Sequence, residues 1–194
     1  MDKWTKIYQN TNYDSGLTGY FLKKSHEWSE KKFDKTMKFN KVLEVGAGSG
    51  VHIDYVKHQY DEYYMTDLHD SFINQSKDKV NDKVILKIED ATKLSFEDNT
   101  FDRVIATHIL EHVQNPHEVL MEWTRVLKPG GVLTIVLPCD PGFAWRLGRY
   151  CCARKNFIKQ GIDYDYWMAR EHINPINNLV SFIKTYFNET EESW

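Results

Sequence analysis

The sequence is short of cysteine, of proline and of long apolar runs. Its 194 residues include three cysteines, Cys139, Cys151 and Cys152. They cannot all pair with one another, two are adjacent, and none has metal-ligand spacing. That excludes a disulfide-stapled scaffold and a zinc motif, and it points to a reducing, cytoplasmic setting. The longest apolar stretch, residues 131–137, is far too short to cross a bilayer. The opening Met1-Asp2-Lys3-Trp4-Thr5-Lys6 has no apolar run behind its charges, so a secretory leader is not expected. Repeats and low-complexity segments are missing too. The net charge of −3 lacks the positive excess of a nucleic-acid binder, and no nucleic-acid partner is expected. Acidic residues are absent from 141–160, which holds five basic ones: Arg146, Arg149, Arg154, Lys155 and Lys159. What is present is ordinary for a folded domain, with 41% hydrophobic and 27% charged residues. The length suits one domain with a sizeable core.

Residues 1–40 are polar and rich in aromatics and lysine, with a helix expected over 18–32. From Lys41 onward the pattern sharpens. Val42-Leu43-Glu44-Val45 is a β-branched run ending in glycines and reads as a buried strand. A helix is expected over 51–60, a second strand over 62–66, a helix over 71–79 and a third strand over 84–89. A fourth strand is expected over 101–107. The helix over 116–127 has Pro116 in its first turn, where the missing N–H costs nothing. Lys128-Pro129-Gly130-Gly131 should end it, with strand five over 132–137 and a later helix over 177–187. Such alternation predicts an α/β fold, a doubly wound and mostly parallel sheet with helices on both faces. Ligands of these sheets bind beyond the C-terminal strand ends, where strand order reverses.

Strand one runs into Glu44-Val45-Gly46-Ala47-Gly48-Ser49-Gly50. A dinucleotide fingerprint would need its third glycine at position 51, which is Val51, and no Gly-Lys-Ser/Thr follows to make a P-loop. The order of stations instead resembles class I S-adenosylmethionine (SAM) dependent methyltransferases, in the broad branch that includes the ubiquinone/menaquinone C-methyltransferases. The glycine loop is similar to their first motif. Asp67 ends strand two, Glu89-Asp90-Ala91 follows strand three, residues 101–113 resemble the strand-four signature, and Arg125-Val126-Leu127-Lys128-Pro129-Gly130-Gly131 resembles the turn into strand five. The likeness covers about residues 41–138.

The resemblance implies SAM as cofactor, S-adenosyl-L-homocysteine as product, and a cofactor site made of Glu44, Gly46, Ala47, Gly48, Gly50, Asp67, Leu68, Asp90, Ala91 and His108. Backbone at Gly46, Ala47 and Gly48 would lie against the amino-acid and ribose parts. Glu44 would orient the loop or reach the ammonium through water; it could equally be a strand-end carboxylate accepting loop N–H bonds. Asp67 can accept from both ribose hydroxyls, or cap the next helix near His69. Leu68 would pack on adenine, with Asp90 and the Ala91 N–H reading its edge; Asp90 as a plain loop acid is the alternative. His108 would lie near the sulfonium through its backbone. Glu111 and His112 read as structural more than catalytic.

The expected organisation is a single domain over 1–194: an N-terminal helical cap at 1–40, the cofactor core at 41–138, and a substrate-recognition insertion with the C-terminal segment at 139–194. The expected reaction is transfer of a methyl group to an O or N atom of a small, anionic or lipid-linked acceptor. A hydroxyl acceptor needs a general base, and the candidates are His108, His112, Asp140 and His172. Arg146, Arg149, Arg170 and His172 are the candidate substrate contacts, because guanidinium suits phosphate and carboxylate. The aromatic and basic run at 143–158 reads as an amphipathic helix with a solvated basic face, an anion site, or a contact to a membrane surface. No metal is expected. The family's fold ends with an antiparallel edge pair of strands, for which 188–194 leave too little chain. The C-terminal edge should therefore be incomplete, and an open edge invites a homodimer. The rivals are a nucleotide-dependent oxidoreductase, disfavoured by Val51, and a non-catalytic SAM-binding protein or partner subunit.

Overall fold

The computed structural model describes residues 16–187 and 189–193. Five strands make one parallel sheet: β1 (Lys38–Val45), β2 (Gln59–Asp67), β3 (Val84–Ile88), β4 (Phe101–Thr107) and β5 (Leu127–Val136). Their order is β3-β2-β1-β4-β5. The chain therefore reverses direction across the sheet between β1 and β4, and the crevice beyond those two strand ends is where such folds take ligands. No sixth or seventh strand follows among the described residues.

Seven α-helices accompany the strands among the described residues: α1 (Gly16–Ser29), α2 (Asp70–Gln75), α3 (Pro116–Val126), α4 (Phe143–Gly148), α5 (Arg154–Lys159), α6 (Tyr164–Glu171) and α7 (Ile176–Tyr186). One sheet face buries Leu43, Val45, Val104 and Ala106 against Val119, Leu120, Trp123 and Leu179 of α3 and α7. Helix α3 starts where the sequence places it. The Asn115 side chain accepts from the Glu118 N–H, and Pro116 occupies the first turn. The other face carries Val42, Tyr63, Met65 and Ile105 and packs on Ile53 and Val56. Helix α1 also covers this side, tied to the sheet by the ion pair described below. Beyond the sheet, α5 and α6 build a small core of their own from Ala153, Phe157, Ile162, Tyr164 and Met168.

Three local expectations change. The helix expected over 51–60 is only a 3-10 turn, His52–Tyr55, after which Val56 is extended. The sheet wins this segment: Gln59 and Tyr60 pair with Lys38 and Phe39, so β2 starts three residues early. Strand five begins at Leu127 rather than 132, because Leu127 already pairs with Phe101. Residues 128–131 bulge out of this edge strand before Val132 resumes pairing with Arg103. The run after β5 is helical but interrupted, with a π turn at Arg149–Ala153 between α4 and α5.

Candidate active site

The glycine loop leaves β1 at the C-terminal end of the sheet. Gly46, Gly48 and Gly50 have φ of +64°, +56° and +71°, a region that L side chains rarely occupy. The loop is anchored by hydrogen bonds from Ala47 N–H to the Thr66 carbonyl and from Ser76 Oγ to the Gly48 carbonyl. A Cβ built on Gly48 would meet nothing within 4 Å, so the backbone there faces open space. Asp67, at the end of β2, closes one side. Its Oδ2 accepts the Gly48 N–H at 3.0 Å and its Oδ1 the His69 N–H at 2.9 Å. Burial raises the Asp67 pKa against the pull of those two N–H bonds. Each oxygen keeps a free acceptor direction. Both readings of Asp67 are thus present in part: it organises the turn at His69 and retains capacity for a ligand. Leu68 beside it is an apolar side chain 57% exposed.

Glu44 is buried and its Oε2 accepts from the Tyr63 hydroxyl at 2.8 Å. It does not accept loop N–H bonds. Its Oε1 is buried without a partner among the described residues, and burial raises the carboxyl pKa. Asp90 sits in an exposed turn, accepting from the Thr92 N–H at 2.8 Å and hydroxyl at 2.7 Å, which lower its pKa. Ala91 follows it at the same rim.

The four candidate bases come from three separate segments, and the fold brings them into one row. His108 has a positive φ of 57° and follows β4. Its Nδ1 lies 3.7 Å from Glu111 Oε1, and His112 Nε2 lies 3.8 Å from the same oxygen. The His112 and His172 rings meet edge to face at 4.9 Å, and His172 Nδ1 lies 3.5 Å from Asp140 Oδ2. A carbonyl only accepts, so His112 Nδ1 carries a proton toward the Glu171 carbonyl at 2.8 Å. Burial lowers the His112 pKa despite Glu111 nearby. Burial opposes charge on Glu111, but the adjacent histidines hold its pKa below the usual value. Arg149 donates to Asp140 at 3.1 Å and stacks on Tyr164. Arg170 pairs with Glu171 and lies over Trp167. Arg146 lines a shallow cleft of about 390 Å³ with Pro141, Phe143, Leu147 and Tyr150. Of the candidate substrate arginines, Arg149 and Arg170 are thus engaged by carboxylates, and Arg146 faces a cleft.

A second polar cluster lies under the loop, and the motif reading passed over it. Arg103 of β4 is fully buried and gives Glu30 two hydrogen bonds, Nη2 to Oε1 at 2.6 Å and Nη1 to Oε2 at 3.0 Å. His52 Nε2 donates to Glu30 Oε1 at 3.0 Å, and His52 Nδ1 meets His26 Nδ1 at 2.9 Å. Ser25 reaches His108 Nε2 at 3.2 Å. Burial opposes ionisation of Glu30, but the bonds from His52 and Arg103 outweigh it and hold the carboxyl at about 2. Burial, reinforced by His52, pushes His26 down to about 3. The sequence signal was slight: an arginine within an otherwise apolar strand.

Residues 43–135 match a family model described as a methyltransferase domain. Over these residues the chain is similar to class I SAM-dependent methyltransferases. A ubiquinone/menaquinone biosynthesis C-methyltransferase of Bordetella avium is 32% identical over 117 residues, covering 54% of this chain and 46% of that protein. A squalestatin hexaketide synthase of a Phoma species is 28% identical over 189 residues, covering 88% of this chain and 6% of that protein. The chain thus spans less than half the length of these curated relatives. Among solved structures, a protein of Pyrococcus horikoshii is similar at a TM-score of 0.55 and 25% identity, over 70% of this chain and 65% of that one. The cyclase SpnF shares the fold at a TM-score of 0.60 and 17% identity, over 84% of this chain and 57% of that one. A shared fold therefore does not fix the reaction.

The residues of the matched segment suit SAM. The loop backbone at Gly48 faces open space, Asp67 keeps acceptor capacity beside it, and the unpaired Glu44 oxygen lies at the base of the loop.

Proposed function

We propose that the chain holds SAM between the glycine loop and Asp67 and transfers its methyl group to an O or N atom of a small acceptor bearing an anionic or lipid-linked group. The observation that carries this reading is the open backbone at Gly48 beside the buried Asp67 carboxylate, at the switch point of a parallel sheet. The bound cofactor would supply an electrophilic methyl on a sulfonium. Asp67 would accept from the ribose diol, Leu68 would cover one adenine face, and Asp90 with the Ala91 N–H would read its edge. Gly46, Ala47 and Gly50 would shape the backbone around the amino-acid part, with Glu44 oriented toward its ammonium.

The row from His108 to Asp140 supports a role in proton removal. An alcohol or phenol acceptor must lose its proton as the new bond forms, and a base in hydrogen-bond reach contributes about 10²–10⁴ in rate. His172, with Asp140 behind it, is the member we assign to this role. The Bordetella relative is named as a C-methyltransferase, so a carbon acceptor is the reading that competes with O or N.

Calorimetric titration with S-adenosyl-L-homocysteine tests the cofactor site. Wild type should bind, and Asp67→Ala should lose at least tenfold in affinity. A folded wild type that does not bind overturns the reading. His172→Ala should keep that affinity and lower the methylation rate; an unchanged rate removes His172 from the mechanism.

A further inference from the structure

The segment after β5 presents a surface that the cofactor site does not use. Helices α4 and α5 and the π turn between them run almost continuously from Phe143 to Lys159. Ala153 and Phe157 face inward, in the small core with Ile162, Tyr164 and Met168. The opposite side is apolar where a solvated helix would be polar. Phe143 is 84% exposed, Leu147 53%, Tyr150 60% and Ile158 47%. Exposed large side chains at this density mark an interaction surface.

The charges on the same side have one sign. Residues 141–160 contain no acid. Arg149 is neutralised by Asp140, and Arg154 by Asp165 while it stacks on Tyr150. That leaves Arg146, Lys155 and Lys159, for which no ion pair is found among the described residues. Asp163, the other acid close by, caps α6 through the Tyr166 N–H. The outward side therefore interleaves four apolar side chains with three uncompensated cations.

We infer that this helical face docks on an anionic lipid bilayer, with Phe143, Leu147, Tyr150 and Ile158 entering the headgroup boundary and Arg146, Lys155 and Lys159 meeting lipid phosphates. An amphipathic helix with apolar and basic residues together binds such an interface in its plane. Charge complementarity selects this occupant. A second copy of the chain would bring cations against cations, and a neutral apolar partner would leave them unmatched. No described helix is long and apolar enough to cross a membrane, so the contact is peripheral. The cleft at Pro141, Phe143, Arg146, Leu147 and Tyr150 opens on the same face, close to Asp140 in the row of candidate bases. Docking would turn that rim toward the lipid.

The inference stands apart from the methyl-transfer reading, and the two fail separately. The test is co-sedimentation of the full chain with vesicles of phosphatidylcholine alone and of phosphatidylcholine with about one-third phosphatidylglycerol. The mixed vesicles should bind the protein, the neutral ones much less, and salt near about 0.5 M should release it. Each cation near an anionic surface strengthens binding about fivefold. Lys155→Glu with Lys159→Glu should therefore weaken it at least twentyfold. Phe143→Ser with Leu147→Ser should weaken it comparably. Both variants should melt like wild type and bind S-adenosyl-L-homocysteine as well. Absence of binding to the mixed vesicles, equal binding to neutral ones, or full binding by either variant overturns the proposal. So does concentration-dependent self-association that Phe143→Ser with Leu147→Ser abolishes, since a second copy would then occupy the face.

Discussion

Removing the Glu30 carboxylate tests whether a buried ion pair clamps α1 to the sheet. Glu30 accepts two bonds from Arg103 and one from His52, and all three residues are buried. Arg103 also lies 3.6 Å over the Phe33 ring. Glu30→Ala leaves the guanidinium charged in an apolar site, because arginine cannot shed its proton. Stranding one partner of a buried pair costs about 3–5 kcal/mol. The depression of the Glu30 carboxyl to about 2 from 4.5 gives an independent figure of about 3 kcal/mol. A chain of this length should then melt roughly 10 °C lower. Arg103→Met should cost about as much. Glu30→Leu combined with Arg103→Met should recover most of the loss, since a well-packed apolar pair often equals a buried ion pair. Urea unfolding at pH 7, followed by circular dichroism, reads all three. A Glu30→Ala cost below about 1 kcal/mol would refute the clamp, because that is the value of an exposed pair. The same cluster fixes a pH response. His26 has a folded pKa of about 3 against 6.5, so below pH 6.5 the unfolded chain takes up its proton first. Stability should then fall by about 1.4 kcal/mol per pH unit down to about pH 3. Glu30 contributes in full above its unfolded value of 4.5 and loses that contribution as pH drops toward about 2. The decline should steepen below pH 4.5, where both groups take up protons preferentially on unfolding. A flat profile between pH 6.5 and 4.5 would contradict the buried neutral His26.

Gly48→Ala should cost about 1–2 kcal/mol through its φ of +56°. It should also weaken S-adenosyl-L-homocysteine at least tenfold, as its methyl would stand in the open space beside Asp67; unchanged affinity by calorimetry would place the ligand elsewhere. Tyr63→Phe removes the one hydrogen bond that the buried Glu44 side chain has among the described residues and should destabilise the fold by about 1–3 kcal/mol in urea. A near-neutral result would mean that Glu44 finds another donor.

The loop and the strand-end acids were legible because their causes are local. Three glycines with φ above zero must follow a β-branched run, and Asp67 needs only the end of the next strand to come within reach of Gly48. Helix α3 carried a start signal in Pro116, and the structure adds the Asn115 cap. Where sheet pairing overrode local preference, the sequence misled. The segment after Gly50 looks helical, yet pairing of Gln59 and Tyr60 with β1 shortens it to one turn. The Pro-Gly-Gly run looks like a terminator, yet it is a bulge inside the edge strand.

By itself, then, the sequence determined the alternation of strands and helices, the glycine loop and the acids at the strand ends, all of which depend on neighbours a few positions away. Only the tertiary structure decided the order β3-β2-β1-β4-β5, the meeting of Glu30 with Arg103 across 73 positions, and the contact of His112 with Glu171 across 59. Such encounters are set by how helices cross the sheet, and burial then gives these polar groups a weight that their place in the chain does not reveal.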